Sequence, residues 1–281
     1  MQAMDQDYIY RNRAVAFLDV LGFRQKLTDF ESEAKANRIV SPEEDPNNPF
    51  VGKYISKKAN EFIDTFKNSV SQLDGEKYRY YLFSDNICIT SKSDVSTSDL
   101  QDLLMVIAKL YYDFARKGYF LRGGIDYGLF VDTDSIAVGV PLATAYELES
   151  KVAVFPRIVL SANYIKQFEI YRSPESKEYS SPFISSLIRQ SCEISYLNIF
   201  NHIFKVDDKE SFFVNYKEKI LEHMEATKNR ENVFLKFDWL AKEFNSFIEL
   251  YTTNLAFYDE YFEPSEEYIN TVKQLKLSYG N

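Results

Sequence analysis

The stretch "AVAFLDVLGF", residues 14–23, is an almost continuous apolar run that contains one carboxylate, Asp19. A short apolar run of this kind is typical of a buried strand, and it predicts a strand over residues 14–21. A charged group on such a strand loses its hydration, which costs free energy unless something compensates. The position of Asp19 therefore needs a physical reason.

The composition indicates a chain that folds independently, and it limits the available chemistry. The 281 residues are 45% hydrophobic with a net charge of −9, and this charge opposes binding to nucleic acid and to anionic membranes. The two cysteines lack a metal-like spacing and only two histidines occur, so disulfide, zinc and histidine chemistry are disfavoured. No apolar run approaches the roughly 20 residues of a membrane span. Without a signal peptide, we expect a cytoplasmic protein with no nucleic-acid or membrane partner.

Hydrophobic periodicity predicts alternating strands and helices as far as residue 161. In chain order these are strand 14–21, helix 53–73, strands 78–83 and 87–90, helix 98–117, a glycine-containing strand within 119–131, helix 141–153 and strand 157–161. The first six elements match the ferredoxin-like split βαβ arrangement, with an antiparallel sheet and helices on one face. The predicted fold class is α+β, with a palm-like core.

Beyond about residue 170 the character of the sequence changes. "RSPESKEYSSP", residues 172–182, predicts a polar loop, and helical patterns follow over residues 211–226 and 233–251. We therefore predict a core domain over residues 1–170 and a mostly helical C-terminal extension over residues 171–281, packed on that core.

A second carboxylate, Asp85, lies between the two strands of the predicted hairpin. In this topology the first strand and the hairpin are neighbours in the centre of the sheet, so Asp19 and Asp85 approach each other. Two adjacent carboxylates repel unless a cation lies between them, and divalent metal ions would provide one. The alternative is that Asp19 caps a helix beginning near Leu21 while Asp85 only occupies a turn. Spacing alone leaves both interpretations open.

Four segments, in order, resemble motifs of the class III nucleotidyl cyclases. They are "FLDVLGF" (17–23), which matches F-x-D-x-x-G-F, "LFSDN" (82–86), "LRGGIDYGLFV" (121–131) and "VGVPLATAYELES" (138–150). Together with "PRIVLS" (156–161) and "KFDWLAKEFN" (236–245), the pattern is most similar to the bacterial pyrimidine cyclases of the Pycsar anti-phage defence system. The resemblance spans most of the chain and implies the class III cyclase fold for the core.

The resemblance implies two Mg²⁺ or Mn²⁺ ions held by Asp19, Asp85 and the Val20 carbonyl. Such ions would activate the ribose 3′-hydroxyl and offset phosphate charge as pyrophosphate leaves.

The backbone amides of Leu21, Gly22 and Phe23 would bind the triphosphate, since they lie at a possible helix start.

The implied reaction converts UTP or CTP to the 3′,5′-cyclic monophosphate and pyrophosphate, and we favour UTP. The implied assembly is a head-to-tail homodimer with composite active sites. The implied partner is a separate effector with a cyclic-nucleotide-binding domain, which the product activates.

The chain also departs from the family pattern. Tyr81 stands where purine-specific cyclases have a base-reading lysine, and it would shape a pyrimidine pocket or be an ordinary strand aromatic. Ala143 and Glu147 stand at the family's asparagine and transition-state arginine positions. Arg157 is our candidate for the missing catalytic charge, with a surface arginine as the alternative. Arg122 would pair with Asp126 or contact the phosphates.

These departures keep two other functions open. One is a purine nucleotide cyclase with unusual base recognition. The other is a catalytically degenerate cyclase-fold module that binds a nucleotide without turnover.

Overall fold

The computed structural model describes residues 7–92, 97–133, 135–170, 186–254 and 264–278. The described residues form one eight-stranded sheet and eight α-helices. The strands are β1 (Arg11–Val20), β2 (Tyr78–Phe83), β3 (Asn86–Ser91), β4 (Leu121–Asp132), β5 (Ala137–Gly139), β6 (Ile158–Leu160), β7 (Ile188–Ser191) and β8 (Ile194–Leu197). The helices are α1 (Phe23–Ala36), α2 (Lys57–Val70), α3 (Thr97–Ala115), α4 (Val140–Glu147), α5 (Ala162–Ile170), α6 (Lys209–Thr227), α7 (Glu231–Thr253) and α8 (Glu266–Gln274).

The sheet has the order β2-β3-β1-β4-β6-β8-β7, with β5 paired to β4. The β4–β6 pairing is parallel and the other described pairings are antiparallel. The apolar run therefore lies between the hairpin and the glycine-containing strand. This confirms the strand order that was expected to bring Asp19 and Asp85 together.

The two faces of β1 have different neighbours. Ala14, Ala16, Leu18 and Val20 point into the main apolar core, which contains side chains from α1, α2, α3, α6 and α7. The residues between them, such as Phe17, point to the opposite face, where α4 packs. Phe17 makes an edge contact with Tyr146 of α4, with ring centroids 5.5 Å apart. The helices therefore pack on both faces of the sheet. The prediction that they lie on one face only is wrong.

The glycines of β4 allow close backbone approach, as predicted. A Cβ atom on Gly124 would collide with the Ala145 carbonyl of α4, and one on Gly123 would lie 2.5 Å from the Phe17 carbonyl oxygen of β1. Because side chains at these positions would separate the layers, both residues must be small. α4 can therefore lie directly against the sheet beside the end of β1.

Several predicted elements differ from the structure. α1 begins immediately after β1, where the sequence indicated only a possible helix start. α2 begins at Lys57, because the Ser56 side chain accepts a hydrogen bond from the Ala59 amide and caps the helix there. The predicted helix over residues 141–153 ends as α-helix at Glu147 and continues as a π-helical turn, Leu148–Val152.

The C-terminal extension also contributes strands. β7 and β8 lie at the edge of the same sheet, and the helices α6 and α7 pack into the same core as β1. The predicted loop over residues 172–182 lies outside the described residues. Within the described part of the chain, every helix is too short or too polar to cross a membrane.

Candidate functional site

Asp19 lies at the end of β1, where it is paired in register with Asn86 on β3 and Arg122 on β4. Side chains of directly paired residues project from the same face of a sheet. Arg122 Nε accordingly donates a hydrogen bond to Asp19 Oδ2 over 2.9 Å. The Asp19 side chain is 15% exposed, so its charge is held close to the protein interior.

Asp85 comes to the same place from the β2–β3 turn. The turn consists of Ser84 and Asp85, and Ser84 adopts a left-handed backbone conformation with φ of 59°. Asp85 directly precedes Asn86, the residue paired with Asp19, and its carboxyl group is close enough to raise the pKa of Asp19. Burial raises the pKa of Asp19 to about 7, Arg122 opposes that rise, and Asp85 adds to it. The site therefore favours a proton or another cation beside this pair at neutral pH.

The alternative of a helix cap at Asp19 is wrong. The N-cap of α1 is Gly22, which has a left-handed φ of 74° and no capping side chain. Asp19 belongs to the strand, and its carboxylate faces Arg122 and Asp85. The interpretation of Asp19 as one of a pair of carboxylates is therefore the one that the geometry fits.

Arg122 also pairs with a residue that the sequence did not single out, Glu149. Arg122 Nη2 lies 2.7 Å from Glu149 Oε1, and the Glu149 side chain is 5% exposed. Burial raises the pKa of Glu149, Arg122 opposes the rise and Asp85 adds to it. The predicted pairing of Arg122 with Asp126 is wrong, because the Asp126 carboxylate accepts a hydrogen bond from Ser161 instead.

The π-helical turn puts Glu149 there. The turn follows α4 directly, and α4 is held against Gly124 of β4. π-helical turns of this kind are rare and often occur at functional sites. The sequence signal was present in "AYELES", but nothing in that pattern indicates which of its two glutamates faces the sheet.

Lys236 of α7 is a second residue near the site that sequence reasoning missed. Burial lowers its pKa, Arg122 lowers it further and Asp19 raises it. The amine therefore lies in the electrostatic field of the Asp19–Arg122 pair. Its segment, "KFDWLAKEFN" (236–245), contributes to the sequence resemblance, but nothing in that pattern singles out the lysine.

The three amides expected to bind phosphate differ in availability. The Leu21 amide already donates to the Phe120 carbonyl over 2.8 Å, so it is used by the backbone. Gly22 and Phe23 lie at the start of α1, where helix amides have no intrahelical acceptor. An anion beside β1 would therefore meet the Gly22 and Phe23 amides.

Tyr81 lies on β2 and its hydroxyl group is occupied. It donates to the carbonyls of Thr133 and Ile136, the latter over 3.2 Å. Its ring packs against a small cluster that includes Val15 and Phe130. Burial raises the pKa of Tyr81 to about 12. The side chain therefore presents its ring, and its hydroxyl is held by the β4–β5 turn.

Arg157 is buried away from solvent, so the alternative of a surface arginine is wrong. Its Nη2 donates to the Val152 carbonyl over 3.0 Å. Its guanidinium lies 5.6, 5.7 and 5.9 Å from the ring centroids of Phe155, Tyr196 and Trp239. The described contacts of Arg157 are with these rings and with the end of the π-helical turn, and they do not bring it to Asp19 or Asp85.

Ala143 and Glu147, which the sequence resemblance aligns with an asparagine and an arginine of class III cyclases, carry no comparable groups. Ala143 has no polar side chain, and Glu147 is exposed and pairs with Lys151 one helical turn away. Among the described residues, Arg122 contacts Asp19 directly, and the Asp19–Arg122 pair acts electrostatically on Lys236.

The donor set suits a hard divalent cation bound together with a phosphorylated ligand. Within the described residues, no group of three or more histidine, cysteine, aspartate or glutamate side chains is arranged to hold a metal ion. Asp19 and Asp85 supply two carboxylates, and the Val20 carbonyl is adjacent. Mg²⁺ is commonly held by one or two carboxylates and completes its coordination with substrate phosphates and water. The residues present fit that mode of binding.

Comparison with known proteins gives weak likenesses to solved structures. No family model matches the chain, and no curated protein matches it. Among solved structures, it resembles the one described as "Crystal structure of the guanylyl cyclase Cya2". That alignment has 10% identity and a TM-score of 0.41, and it covers 68% of this chain and 93% of that chain. A likeness of this size assigns neither a family nor an activity, so the assignment depends on the site.

Proposed function

We propose that this chain is a nucleotidyl cyclase of the class III type that converts UTP, in preference to CTP, to the 3′,5′-cyclic monophosphate and pyrophosphate. The observation that supports this most directly is the Asp19–Asp85 pair. The two carboxylates come from a strand end and a neighbouring hairpin turn, and the start of α1 lies immediately beyond Asp19. A carboxylate pair beside a helix start suits a metal–triphosphate complex.

Asp19, Asp85 and the Val20 carbonyl would hold the Mg²⁺ or Mn²⁺ ions. When bound, such ions supply Lewis-acid stabilisation of charge on the phosphates and lower the pKa of an attacking hydroxyl. Arg122 fixes the Asp19 carboxylate through the 2.9 Å hydrogen bond, and Glu149 fixes Arg122 from its other side. The chain thus holds Asp19 in one orientation before a substrate arrives, which reduces the reorganisation needed on binding.

The amides of Gly22 and Phe23 would bind the phosphates. The Leu21 amide is left out of this proposal, because the Phe120 carbonyl already accepts its hydrogen bond. α1 spans 14 residues, and the partial positive charge at the start of a helix favours an anion there.

Tyr81 would shape the base pocket with its ring. Because its hydroxyl already donates to backbone carbonyls, it has no proton to donate to the base. A fixed ring where a lysine would otherwise reach a purine favours a small base, which supports the choice of a pyrimidine.

A head-to-tail homodimer is supported by apolar groups on the face that carries Asp19. Phe83 is 49% exposed, Tyr146 is 54% exposed and Val140 is 74% exposed. Phe17 contacts both Phe83 and Tyr146, so two of these exposed groups belong to one patch. Exposed apolar patches of this kind mark interfaces.

In this proposal the cyclic product acts inside a bacterial cell on a separate effector in anti-phage defence.

A nucleotide-binding module without turnover is the second candidate. It is favoured by Ala143 and by the exposed, Lys151-paired Glu147, which leave the two helix positions without the asparagine and arginine of class III cyclases.

Product formation from UTP by wild-type protein, Asp19→Asn and Asp29→Asn separates the candidates. Asp29 is exposed on α1 and serves as the matched control. Cyclic product from wild type and Asp29→Asn, lost in Asp19→Asn, supports the cyclase; UTP binding with no product from folded wild type supports the module.

A further inference from the structure

We propose that Lys236 of α7 binds the triphosphate of the substrate, so that the C-terminal extension completes the nucleotide site of its own chain. This inference rests on the proposed function, and it assigns a role to a helix that the motifs around Asp19 do not include. The ligand class is a polyphosphate, because α7 packs on Phe120 beside the backbone that leads to Gly22 and Phe23, the amides proposed to bind the phosphates.

The packing of α7 puts its first two turns beside the start of β4. Phe237 contacts Phe120, with ring centroids 5.7 Å apart. Phe120 lies two residues before Arg122, and its carbonyl accepts the hydrogen bond of the Leu21 amide. The helix segment that carries Lys236 therefore packs on Phe120, and Phe120 is hydrogen-bonded to the backbone that connects Asp19 to the start of α1.

A second contact fixes the direction of this segment. The Trp239 ring stacks on Phe155, with centroids 5.3 Å apart and an interplanar angle of 11°. Trp239 also lies over the buried guanidinium of Arg157. Because α7 is anchored at both Phe237 and Trp239, the fold sets the backbone position of Lys236.

The charge of Lys236 is only partly offset within the described part of the chain, because the Asp19 carboxylate favours it while burial and Arg122 oppose it. The residue is half-buried, and it has no hydrogen bond or salt bridge to any described group. The other cation of the site, Arg122, is occupied by Asp19 and Glu149. A partly buried ammonium group without a partner costs free energy that an anionic ligand would recover. Lysine is a common phosphate ligand, since it acts as a mobile point charge.

The location of Lys236 indicates that it would contact the phosphates of the nucleotide and not its base. Lys236 precedes Phe237, whose ring contacts Phe120. The Phe120 carbonyl accepts the hydrogen bond of the Leu21 amide, directly before Gly22 and Phe23. Tyr81, the candidate base contact, is instead held by the β4–β5 turn. A cation on the Asp19 side of the site therefore meets phosphate oxygens rather than the base.

The test measures binding of inorganic tripolyphosphate, which has no base, to the full chain by calorimetry in the presence of Mn²⁺. Lys236→Met removes the charge but keeps most of the apolar stem, and Lys236→Arg restores the charge. Lys242→Met is the matched control, because Lys242 lies on the same helix and pairs with Asp238 over 2.6 Å. We expect Lys236→Met to bind about tenfold more weakly, since a hydrogen bond to a charged group is lost. Lys236→Arg should bind tripolyphosphate with an affinity within about threefold of the wild type. Lys242→Met should bind it as tightly as the wild type does.

Wild-type affinity in Lys236→Met, with an unchanged unfolding midpoint, would overturn the inference. Failure of the wild type to bind tripolyphosphate would overturn it as well. Product formation from UTP is measured separately on the wild type. Binding that depends on Lys236 without any cyclic product would support the phosphate site and reject the cyclase, whereas cyclic product with no dependence of binding on Lys236 would reject this inference alone.

Discussion

Arg122 Nε lies 2.9 Å from Asp19 Oδ2, across the central β1–β4 pair of the sheet. This contact holds a carboxylate at the end of a buried strand, and Asp85 approaches the same carboxylate from the neighbouring turn. The apolar residues before Asp19 anchor the strand, and Arg122 and Glu149 fix the charge. A site arranged in this way is ready to receive a cation and an anionic substrate together.

The protonation of Asp19 should make stability depend on pH in the absence of metal ions. Its pKa rises from an ordinary value of 3.8 to about 7, mainly through burial, so the folded protein binds this proton more tightly than the unfolded chain does. The stabilisation of the folded protein by this proton is fully present below about pH 4 and is lost as pH rises through about 7. We expect the unfolding free energy of wild type, minus that of Asp19→Asn, to fall by up to about 1 kcal/mol per pH unit over this window. Urea titrations in EDTA between pH 4 and 8 measure it, and a constant difference would contradict the assignment.

Divalent cations should stabilise the protein through both carboxylates. A ligand at 100 times its dissociation constant adds about 2.7 kcal/mol to the unfolding free energy, which corresponds to a rise of roughly 4–5 °C in the unfolding midpoint for a chain of this size. We expect Mn²⁺ to raise the midpoint of the wild type and of Asp29→Asn. Asp19→Asn and Asp85→Asn should show little response in the same thermal scan, and an equal rise in all four proteins would place the ion elsewhere.

The contact between α4 and the sheet should be sensitive to one methyl group. In Gly124→Ala the new Cβ atom would collide with the Ala145 carbonyl, whereas a Cβ on Gly75 would meet nothing within 4 Å. Because backbone atoms must move to relieve the collision, we expect Gly124→Ala to cost about 2–3 kcal/mol of unfolding free energy. Gly75→Ala should change stability by less than about 0.5 kcal/mol. Denaturant unfolding of both variants decides the matter, and equal stabilities would show that α4 does not need this close approach.

Tyr81 should act through its ring. Tyr81→Phe removes the hydrogen bonds to Thr133 and Ile136 but keeps the aromatic surface, so we expect a loss of about 1 kcal/mol in stability and no change in the preference for UTP over CTP. Tyr81→Ala removes the ring and should reduce that preference. The ratio of kcat/KM for the two nucleotides tests this, and a changed ratio in Tyr81→Phe would assign base recognition to the hydroxyl.

The neighbourhood of Asp19 and Asp85 was predictable because strand order alone puts β1 beside the β2–β3 hairpin. The pairing of Arg122 with Glu149 was not predictable. Asp126 was the expected partner because it lies on the same strand, whereas Glu149 reaches Arg122 through a π-helical turn that depends on tertiary packing. The sequence left Arg157 open between a catalytic charge and a surface arginine, because the burial of its guanidinium depends on the neighbouring Phe155 ring and on the Tyr196 and Trp239 rings from distant segments. β7 and β8 have four residues each, too few to show a clear period, and Lys236 is separated from Asp19 by most of the chain.

The most direct measurement is product analysis after incubation of purified, folded protein with ATP, GTP, CTP and UTP in turn, each with Mn²⁺, by chromatography and mass spectrometry. We expect 3′,5′-cyclic UMP and pyrophosphate from UTP as the main products, with at least a hundredfold loss in both Asp19→Asn and Asp85→Asn. Cyclic AMP or cyclic GMP as the main product would keep the carboxylate mechanism and reject the pyrimidine assignment. No cyclic nucleotide from any of the four substrates, with the protein folded and Mn²⁺ present, would contradict the proposed cyclase function.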